Sequence, residues 1–468
     1  MGLHTLDDIK GTRIDADVAI VGAGAAGITM AMKLKDSGLE VALLEGGLLD
    51  NPGALASCYD GETSATGYPL MSTRLRFFGG TTNHWGGWCA RLFPIDLEAR
   101  EEAGSPGWPI SFAQLETYYP HAERVCEISG DTTPSTAKSD LLDDFVEGLF
   151  RFSPPTRFGQ KYRQPLAAAQ DVTVYCDANL TGLRQTGERV AHATVRSAGG
   201  KVVEVHATRF VLAMGGIENA RALLIQQEAG SLKPRGHGIG QYFMDHPGAA
   251  LGTLIARDGM SYHRHVRNDE LIMPTLRPSD SYLREHKIPS FFLMVRPTAA
   301  DAALAPEYLT APVVAGAMPP APAVHYSVQA NVEPAPVAES RISLSSSRDS
   351  LGLPGIHMDW QMDSRHHRDL VRLQHDLVRR LGSTGRGRFR PRDDLPGRLS
   401  TQSHHLGTTR MAMSAAEGVV DADCRVFGIE NLYMAGSSTF PSAGCVNPTL
   451  TIVALSARLA DHLYEDLS

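Results

Sequence analysis

Two glycine-rich stretches near the start of the chain have the spacing of ligand-binding loops. The first reads GAGAAG over residues 22–27, and Glu45 follows at the end of the next apolar run. In this spacing Gly22 permits a tight turn, Gly24 lets backbone meet a pyrophosphate, and Gly27 lets a helix pack on a strand. A helix N-terminus presents free N–H groups to phosphate, and a carboxylate accepts hydrogen bonds from ribose hydroxyls. The spacing predicts a dinucleotide site, with NADP disfavoured because Glu45 would repel its 2′-phosphate.

The second stretch reads GGTTNHWGGW over residues 79–88 and places bare backbone on both sides of an imidazole. Glycine lets backbone approach a bulky object closely and reaches dihedral angles that are closed to other residues. A tight surface turn and a wrapped ligand both fit this pattern. The stretch alone does not decide between them.

Regular elements must position the first loop. Residues 17–21 form a β-branched run, a helical pattern follows GAGAAG, and residues 40–44 form a second apolar strand that ends at Glu45. This order of strand, glycine turn, helix, strand and acid is that of a dinucleotide-binding unit. At this point FAD and NAD both fit.

Composition narrows the possible partners. The chain has 468 residues, of which 43% are hydrophobic and 21% charged, and this length favours two or three domains with a large core. A net charge of -8 gives no electrostatic footprint for nucleic acid or for an anionic membrane. We therefore expect neither as a partner.

Cysteine spacing and the apolar segments indicate the compartment. The six cysteines lack the close pairs of zinc or redox motifs, so we expect reduced thiols and no metal. The first residues lack a cationic region followed by an apolar run, and prolines interrupt the apolar residues 311–324. These features predict a cytoplasmic protein without a membrane span.

Further motifs carry a resemblance to a known family. They are VGAGAAG, LLEGG, RFFGGTTNHWGG (76–87), VLAMGGIENARALL (211–224), GQYFMDHP (240–247), VEPAPVAESRISLS (332–345), HHLGTTRM (404–411) and the last block, from GIENLYMAG to ARLADHL. Together they resemble the glucose-methanol-choline (GMC) flavoprotein oxidoreductases from one end of the chain to the other, and NHW resembles the pyranose-oxidase-like branch.

The resemblance implies an α/β fold. A Rossmann-like FAD-binding domain, of the GMC and p-hydroxybenzoate-hydroxylase type, carries an inserted α+β substrate domain built on an antiparallel sheet. The implied division assigns three parts to the FAD-binding domain (1–110, 166–247 and 396–468) and two to the substrate domain or cap (111–165 and 248–395).

The resemblance also implies FAD rather than NAD, with GGTTNHWGGW wrapped around the flavin ring. In some members a histidine at the position of His84 is bonded covalently to the flavin; a bond and simple packing both stay open here. The candidate cofactor contacts are Gly22, Gly24, Ala25, Ala26, Gly27, Glu45, Gly46, Arg76, Gly79, Gly80, Thr81, Asn83, His84, Trp85, Gly86, Val174, Ala213, Gly215, Gly436, Asn447, Pro448 and Thr449.

The catalytic residues implied by the resemblance are His404 and Asn447. His404 would remove the hydroxyl proton, for which imidazole has a suitable pKa, while hydride passes to flavin N5. Asn447 would hold the alcohol oxygen, and it also suits the cap of a final helix that begins at Pro448. We expect His405 to be structural, because adjacent side chains of an extended chain point apart. His246, in a DHP turn, is assigned no role.

The favoured activity is oxidation of a hydroxyl of a pyranose, glycoside or cyclitol, with O2 or a quinone-like compound as electron acceptor. A non-sugar alcohol oxidase is an alternative. A non-redox lyase of the hydroxynitrile-lyase type is another, since such enzymes share this fold. A catalytically inactive FAD-binding protein is the third alternative.

Overall fold

The structure is a computed structural model that describes residues 2–65, 68–135, 137–139, 141–256, 260, 262–298, 324–385, 387–395 and 399–468. The apolar residues 311–324 were expected to be interrupted by prolines. Of these, residues 311–323 lie outside the described residues.

The described strands, in chain order, are β1 Gly2–Thr5, β2 Arg13–Val21, β3 Val41–Leu44, β4 Gly61–Thr63, β5 Trp88–Cys89, β6 Ala99–Arg100, β7 Ser105–Pro106, β8 Phe145–Phe152, β9 Val172–Cys176, β10 Asn179–Thr186, β11 Arg189–Arg196, β12 Val202–Leu212, β13 Pro247–Ala256, β14 His265–Arg267, β15 Glu270–Pro278, β16 Phe291–Thr298, β17 Val324–Val332, β18 Arg341–Arg348, β19 Pro354–Asp359, β20 Gly387–Pro391, β21 Leu399–Thr401 and β22 Leu432–Met434.

The described α-helices are α1 Ala25–Leu34, α2 Phe112–Glu116, α3 Tyr119–Val125, α4 Phe158–Lys161, α5 Arg163–Ala167, α6 Gly215–Glu228, α7 Asp280–His286, α8 Ser364–Thr384 and α9 Thr449–Leu467. Short 3-10 helices lie at Leu6–Asp8, Gly53–Tyr59, Gly80–Asn83, Pro94–Leu97, Glu101–Ala103 and Ser437–Thr439.

One sheet is mainly parallel and has the order β1-β9-β3-β2-β12-β11-β10, with β22 beside the end of β12. The neighbouring pairs β1–β9, β9–β3, β3–β2, β2–β12 and β12–β22 are parallel. The strands β10, β11 and β12 form an antiparallel meander. All four residues of β3 are buried, as expected for a parallel strand covered on both faces. The helices α1 and α9 pack against each other beside this sheet.

A second sheet is antiparallel, with the order β20-β13-β17-β16-β15-β8-β5; β14 pairs with β15 and β21 with β13. The long helix α8 packs on β20 and β13 through the buried leucines Leu370, Leu373, Leu377 and Leu381. The expected α/β fold with a Rossmann-like sheet and an antiparallel sheet is therefore confirmed. The domain boundaries stay a prediction.

Two further expectations can be compared with the structure. All six cysteines are buried and free, as the expectation of reduced thiols requires. In the described part of the chain, no helix has both the length and the apolar character that a membrane crossing needs.

Candidate active site

A cavity of about 1030 Å³ lies beyond the carboxyl ends of the parallel strands. Its size is at the upper end of the range of about 300–1000 Å³ for ligand pockets. Ligands of open α/β sheets bind at this edge, because the loops that follow the strands meet there. Within two residues after the ends of β2, β3, β9, β12 and β22 the chain lines the cavity, at Gly22, Glu45, Ala178, Ala213 and Gly436.

The GAGAAG turn joins β2 to α1 on the cavity wall. A Cβ on Gly27 would lie 1.9 Å from the Gly22 carbonyl oxygen, so only glycine lets the helix pack this closely on the turn. Gly24, in contrast, has open space where a Cβ would be, and that space belongs to the cavity. The turn therefore exposes backbone to a ligand at Gly24 and uses Gly27 for packing.

Glu45 is held in one orientation at the end of β3. Its Oε2 accepts from the Ala23 N–H at 3.0 Å and its Oε1 from the Gly47 N–H at 2.8 Å. The residue is 6% exposed and lines the cavity. Because each carboxylate oxygen has a further lone pair, Glu45 can still accept hydrogen bonds from ribose hydroxyls.

Three helix N-termini face the cavity. The first residues of α1, α6 and α9, namely Ala25, Gly215 and Thr449, are part of its lining. Helix N-termini carry partial positive charge and unpaired N–H groups. This wall favours an anionic ligand such as a dinucleotide, and together with Gly24 and Glu45 it fits FAD.

The GGTTNHWGGW stretch lies directly against the GAGAAG turn. The Gly79 N–H donates to the Ala23 carbonyl at 2.8 Å, and a Cβ on Gly80 would lie 3.1 Å from the Gly24 Cα. His84, Trp85 and Gly86 follow on the cavity wall. The stretch is therefore part of the ligand cavity, as one of its two interpretations expects.

Most candidate cofactor residues line this cavity. They are Gly22, Gly24, Ala25, Ala26, Glu45, Gly46, Arg76, Gly80, Thr81, His84, Trp85, Gly86, Ala213, Gly215, Gly436, Asn447, Pro448 and Thr449. Outside the lining are Gly27, Gly79, Asn83 and Val174. Asn83 donates through Nδ2 to the Phe78 carbonyl at 3.0 Å, and Val174 is buried within β9.

His404 and Asn447 lie together on the cavity wall. The distance between His404 Nε2 and Asn447 Nδ2 is 3.1 Å. The final helix begins at Thr449, with Pro448 in the capping position, so the expectation that Asn447 caps the helix is wrong. Pro448 already has helical dihedral angles, and its carbonyl accepts the first helical hydrogen bond, from Ile452. The Asn447 amide is thereby left to contact His404.

Asp245 holds the segment that carries His404. Its carboxylate accepts from the backbone N–H groups of Ser403 at 3.0 Å and His404 at 2.9 Å, and from the Tyr68 hydroxyl at 2.8 Å. Asp245 is fully buried, and burial raises its pKa despite these donors. The segment is thus attached to the protein through its backbone.

His404 and His405 both line the cavity, so the expectation that only one of them would face it is wrong. Residues alternate in direction only along regular extended chain. Here Ser403 has a φ of 61° and Gly407 a φ of 87°, so the backbone bends on both sides of the pair. His405 Nε2 lies 3.4 Å from Thr73 Oγ1. A structural role for His405 stays a prediction.

His246 was assigned no role from the sequence, but the structure places it in contact with His404. The two Nδ1 atoms are 2.9 Å apart, and His246 Nε2 lies 3.0 Å from the Gly444 carbonyl oxygen. The DHP motif was the available signal, because Asp245 and His246 are the two polar residues in it. Their contacts with residue 404 are made across the fold.

Charged residues that line the cavity near α6 were also missed. Arg74 pairs with Glu218 at 2.5 Å, and Arg221 pairs with Glu218 at 3.1 Å and with Asp349 at 2.6 Å. Arg76, which was among the candidate cofactor contacts, donates to the Gly46 carbonyl and to Asn179 Oδ1. Because each of these carboxylates has an arginine partner, this wall is close to neutral.

The antiparallel sheet supplies the opposite wall through one face of β16 and β17. Phe292 pairs with Asn331 and Met294 with Gln329, and Arg296 follows on the same face. Asn331 donates through Nδ2 to the Cys445 carbonyl at 2.7 Å, which links this wall to the loop before Asn447. These residues are candidates for substrate contacts that the sequence did not reveal.

Burial keeps the histidines of the site neutral near pH 7. It lowers the pKa of His404 to about 4 and that of His405 to about 3, the latter with help from Arg74. Burial, and next the neighbouring His404, lowers the pKa of His246 to about 4. Neutral imidazole has the free lone pair that a general base needs.

Acid is expected to destabilise the protein through these residues. His246 is fully buried, and its pKa falls from 6.5 to about 4 on folding, so the unfolded chain binds more protons between these values. The free energy of unfolding should therefore decrease as the pH falls from 6.5, by up to about 1.4 kcal/mol per pH unit for His246 alone. His404 and His405 act in the same direction, less strongly because they are partly exposed to the cavity.

The measurement is urea or thermal unfolding between pH 7 and pH 5. Asp245, whose raised pKa acts in the opposite direction near its own value, is present in both proteins of the comparison. The control is His246→Asn, which removes one titrating imidazole and should flatten the dependence. An equal slope in both proteins would contradict the assignment.

Comparisons with known proteins show what the chain is similar to. Residues 336–456 match the family model for GMC oxidoreductase, whose matched part is the C-terminal domain. The 6'''-hydroxyparomomycin C oxidase of Streptomyces lividus is 26% identical over 96% of this chain and 92% of that protein. The fructose dehydrogenase large subunit of Gluconobacter japonicus is 24% identical over 97% and 98%. The crystal structure of pyridoxine 4-oxidase from Mesorbium loti covers 95% of this chain and 98% of its own, with a TM-score of 0.58 and 18% identity.

Residues 336–456 therefore carry a GMC oxidoreductase C-terminal domain, and the chain is similar to GMC oxidoreductases over almost its whole length, which confirms the resemblance found in its motifs. The relatives are named as oxidases and dehydrogenases, and GMC oxidoreductases bind FAD. The likeness to the pyranose-oxidase-like branch stays a prediction.

Proposed function

We propose that this protein oxidises a CH–OH group to a carbonyl, and that the favoured substrate is a hydroxyl of a sugar, glycoside or cyclitol. The observation that carries the proposal is the 3.1 Å approach of His404 Nε2 and Asn447 Nδ2 on the cavity that also holds the GAGAAG turn. The relatives named as a fructose dehydrogenase and a hydroxyparomomycin oxidase support an oxygen-rich substrate.

The residues that would hold FAD are those of the parallel-sheet wall: Gly24 at the pyrophosphate, Glu45 at the ribose, and the stretch 79–86 beside the ring. When bound, FAD supplies the acceptor for hydride that no protein side chain can provide. The N-terminus of α9 offers partial positive charge on the same wall.

His404 and Asn447 have different roles toward the substrate hydroxyl. His404 Nε2 takes the hydroxyl proton, which makes the carbinol carbon a far better hydride donor. Asn447 donates from Nδ2 to the alcohol oxygen and cannot act as a base near neutral pH. The pair therefore provides one base and one orienting donor.

The test is anaerobic addition of sugars and alcohols to the yellow holoenzyme. We expect the yellow colour to bleach with at least one hydroxyl substrate and the corresponding carbonyl product to form in equal amount. Release of cyanide and aldehyde from a cyanohydrin without bleaching would instead establish the lyase alternative.

The charge of the substrate can be inferred from the antiparallel-sheet wall. Arg296 is the charged residue on this face of β16, and its guanidinium contacts Met294 Sδ at 3.2 Å. Within the described part of the chain, none of the salt bridges involves Arg296. The rise of a strand, about 3.3 Å per residue, places Arg296 about 13 Å from Phe292. We propose that this wall accepts neutral or anionic substrates and disfavours ammonium groups.

A matched substrate series tests this charge preference. A glycoside with a remote carboxylate should have a lower KM than its neutral counterpart, and an amino glycoside a higher one. Arg296→Gln should raise the KM of the carboxylate by about tenfold, equivalent to about 1.4 kcal/mol, and leave that of the neutral glycoside unchanged. An amino glycoside that binds best to the unaltered protein would contradict the proposal.

The position of His84 admits two kinds of flavin contact. It lies on the cavity wall beside Trp85 and Gly86, where a covalent bond and simple packing are both compatible with the chain. Acid precipitation decides between them: a bonded flavin stays with the pellet, whereas a free one colours the supernatant. After acid precipitation of His84→Ala, all of the flavin should be in the supernatant, whether or not His84 is bonded to flavin in the unaltered protein.

A further inference from the structure

His246 completes a chain of hydrogen bonds that ends at the base. The chain runs from the Gly444 carbonyl through His246 and His404 to the Asn447 amide, with separations of 3.0, 2.9 and 3.1 Å. His246 is fully buried and directly precedes β13. It therefore touches both segments that carry the proposed catalytic pair.

The chemistry of each atom fixes the direction of these bonds. A carbonyl oxygen only accepts, so His246 Nε2 carries a hydrogen and donates to Gly444. A neutral imidazole has one N–H, which leaves His246 Nδ1 as an acceptor. The Nδ1 of His404 must then donate to it, and His404 Nε2 keeps its lone pair. That nitrogen faces the donor group of Asn447 and the cavity.

We propose that His246 is a positioning residue that holds His404 in the Nδ1–H tautomer, so that Nε2 is the nitrogen that accepts the substrate proton. This inference rests on the proposed function. When His404 takes that proton, its Nδ1–H still donates to His246, so the arrangement needs no rearrangement during the reaction. The positioning group is neutral, unlike the carboxylate that orients the histidine of a serine protease.

The rest of the surroundings supports a positioning role. Asp245 fixes the backbone of residue 404, but its carboxylate oxygens are bonded to N–H groups and to Tyr68. His246 is thus the described contact that sets the orientation of the His404 ring from behind. The Gly444 loop is itself held, since the Gly444 N–H donates to Glu333 at 3.2 Å.

Two amide variants separate the positioning role from packing. In His246→Asn the amide oxygen occupies the place of Nδ1 and can still accept from His404. In His246→Gln the amide reaches the place of Nε2 and keeps the Gly444 bond, but the acceptor for His404 is lost. Each variant loses one hydrogen bond and changes the ring volume, so both should melt at similarly lower temperatures.

The first readout is the rate of substrate-dependent flavin bleaching. We expect His246→Asn to retain most of the rate and His246→Gln to lose at least about tenfold, toward the ~10²–10⁴-fold that a general base contributes. KM should change little in either variant. Equal losses in both variants, in step with their melting temperatures, would overturn the proposal in favour of a packing role.

The second readout is the tautomer itself, from ¹⁵N chemical shifts of histidine-labelled protein. His404 should be protonated at Nδ1 in the unaltered protein and in His246→Asn, and should change in His246→Gln. Protonation at Nε2 in the unaltered protein would overturn the proposal. If no hydroxyl substrate bleaches the unaltered holoenzyme, the proposed function fails, and the NMR result still decides the role of His246.

Discussion

Replacing His404 by alanine should lower the rate of flavin bleaching by hydroxyl substrates about 10²–10⁴-fold, the range that a general base contributes. His404 Nε2 is the unprotonated nitrogen on the cavity wall within 3.1 Å of the Asn447 amide, and burial lowers its pKa to about 4. Among the described residues, His404 is the imidazole that contacts the Asn447 amide, so its removal takes away the base at that point. FAD should stay bound, because the parallel-sheet wall is unaltered.

The measurement is stopped-flow bleaching under anaerobic conditions, with the FAD content determined in the same samples. Added imidazole should restore part of the rate in His404→Ala, since the vacated volume opens to the cavity. His367→Ala on α8 is the control for loss of a histidine remote from the proposed pair. A rate equal to that of the unaltered protein would show that His404 is not the base.

The nucleotide-binding wall could be predicted from the sequence because its determinants are local. The β-branched run before GAGAAG, the glycine spacing and the acid after the next strand each act over a few residues. In the structure they become β2, the turn to α1 and the end of β3. The strands β2 and β3 pair in parallel, so the loops at their carboxyl ends lie at the same edge of the sheet and no further sequence signal is needed to bring them together.

The arrangement around His404 could not be predicted in the same way. The contact between His246 and His404 joins residues 158 positions apart, and the partner atoms are ring nitrogens whose direction depends on both backbones. The orientation of His405 depends on the positive φ of Ser403, which Asp245 stabilises through the Ser403 N–H. The motifs identified Asn447 as a site residue. That Pro448 rather than Asn447 caps α9 could be seen only once the first residue of α9 was known.

Two glycines of the same turn should respond oppositely to alanine. Gly24→Ala places a methyl group into open cavity, and the extended dihedral angles of Gly24, φ −87° and ψ −161°, suit alanine. The fold should therefore be unaffected, whereas the room for the pyrophosphate is reduced. We expect FAD affinity to fall at least about tenfold, equivalent to about 1.4 kcal/mol, with an unchanged melting temperature of the FAD-free protein.

Gly27→Ala should act on the fold itself. Its Cβ would lie 1.9 Å from the Gly22 carbonyl oxygen and 3.3 Å from Ile20 Cγ2, so α1 must move away from β2. Overpacking of this kind typically costs about 1–3 kcal/mol. The melting temperature should fall with and without FAD. FAD titration and thermal melting of both FAD-free variants test the pair, and a Gly24→Ala protein that binds FAD normally would show that the cofactor does not approach this turn.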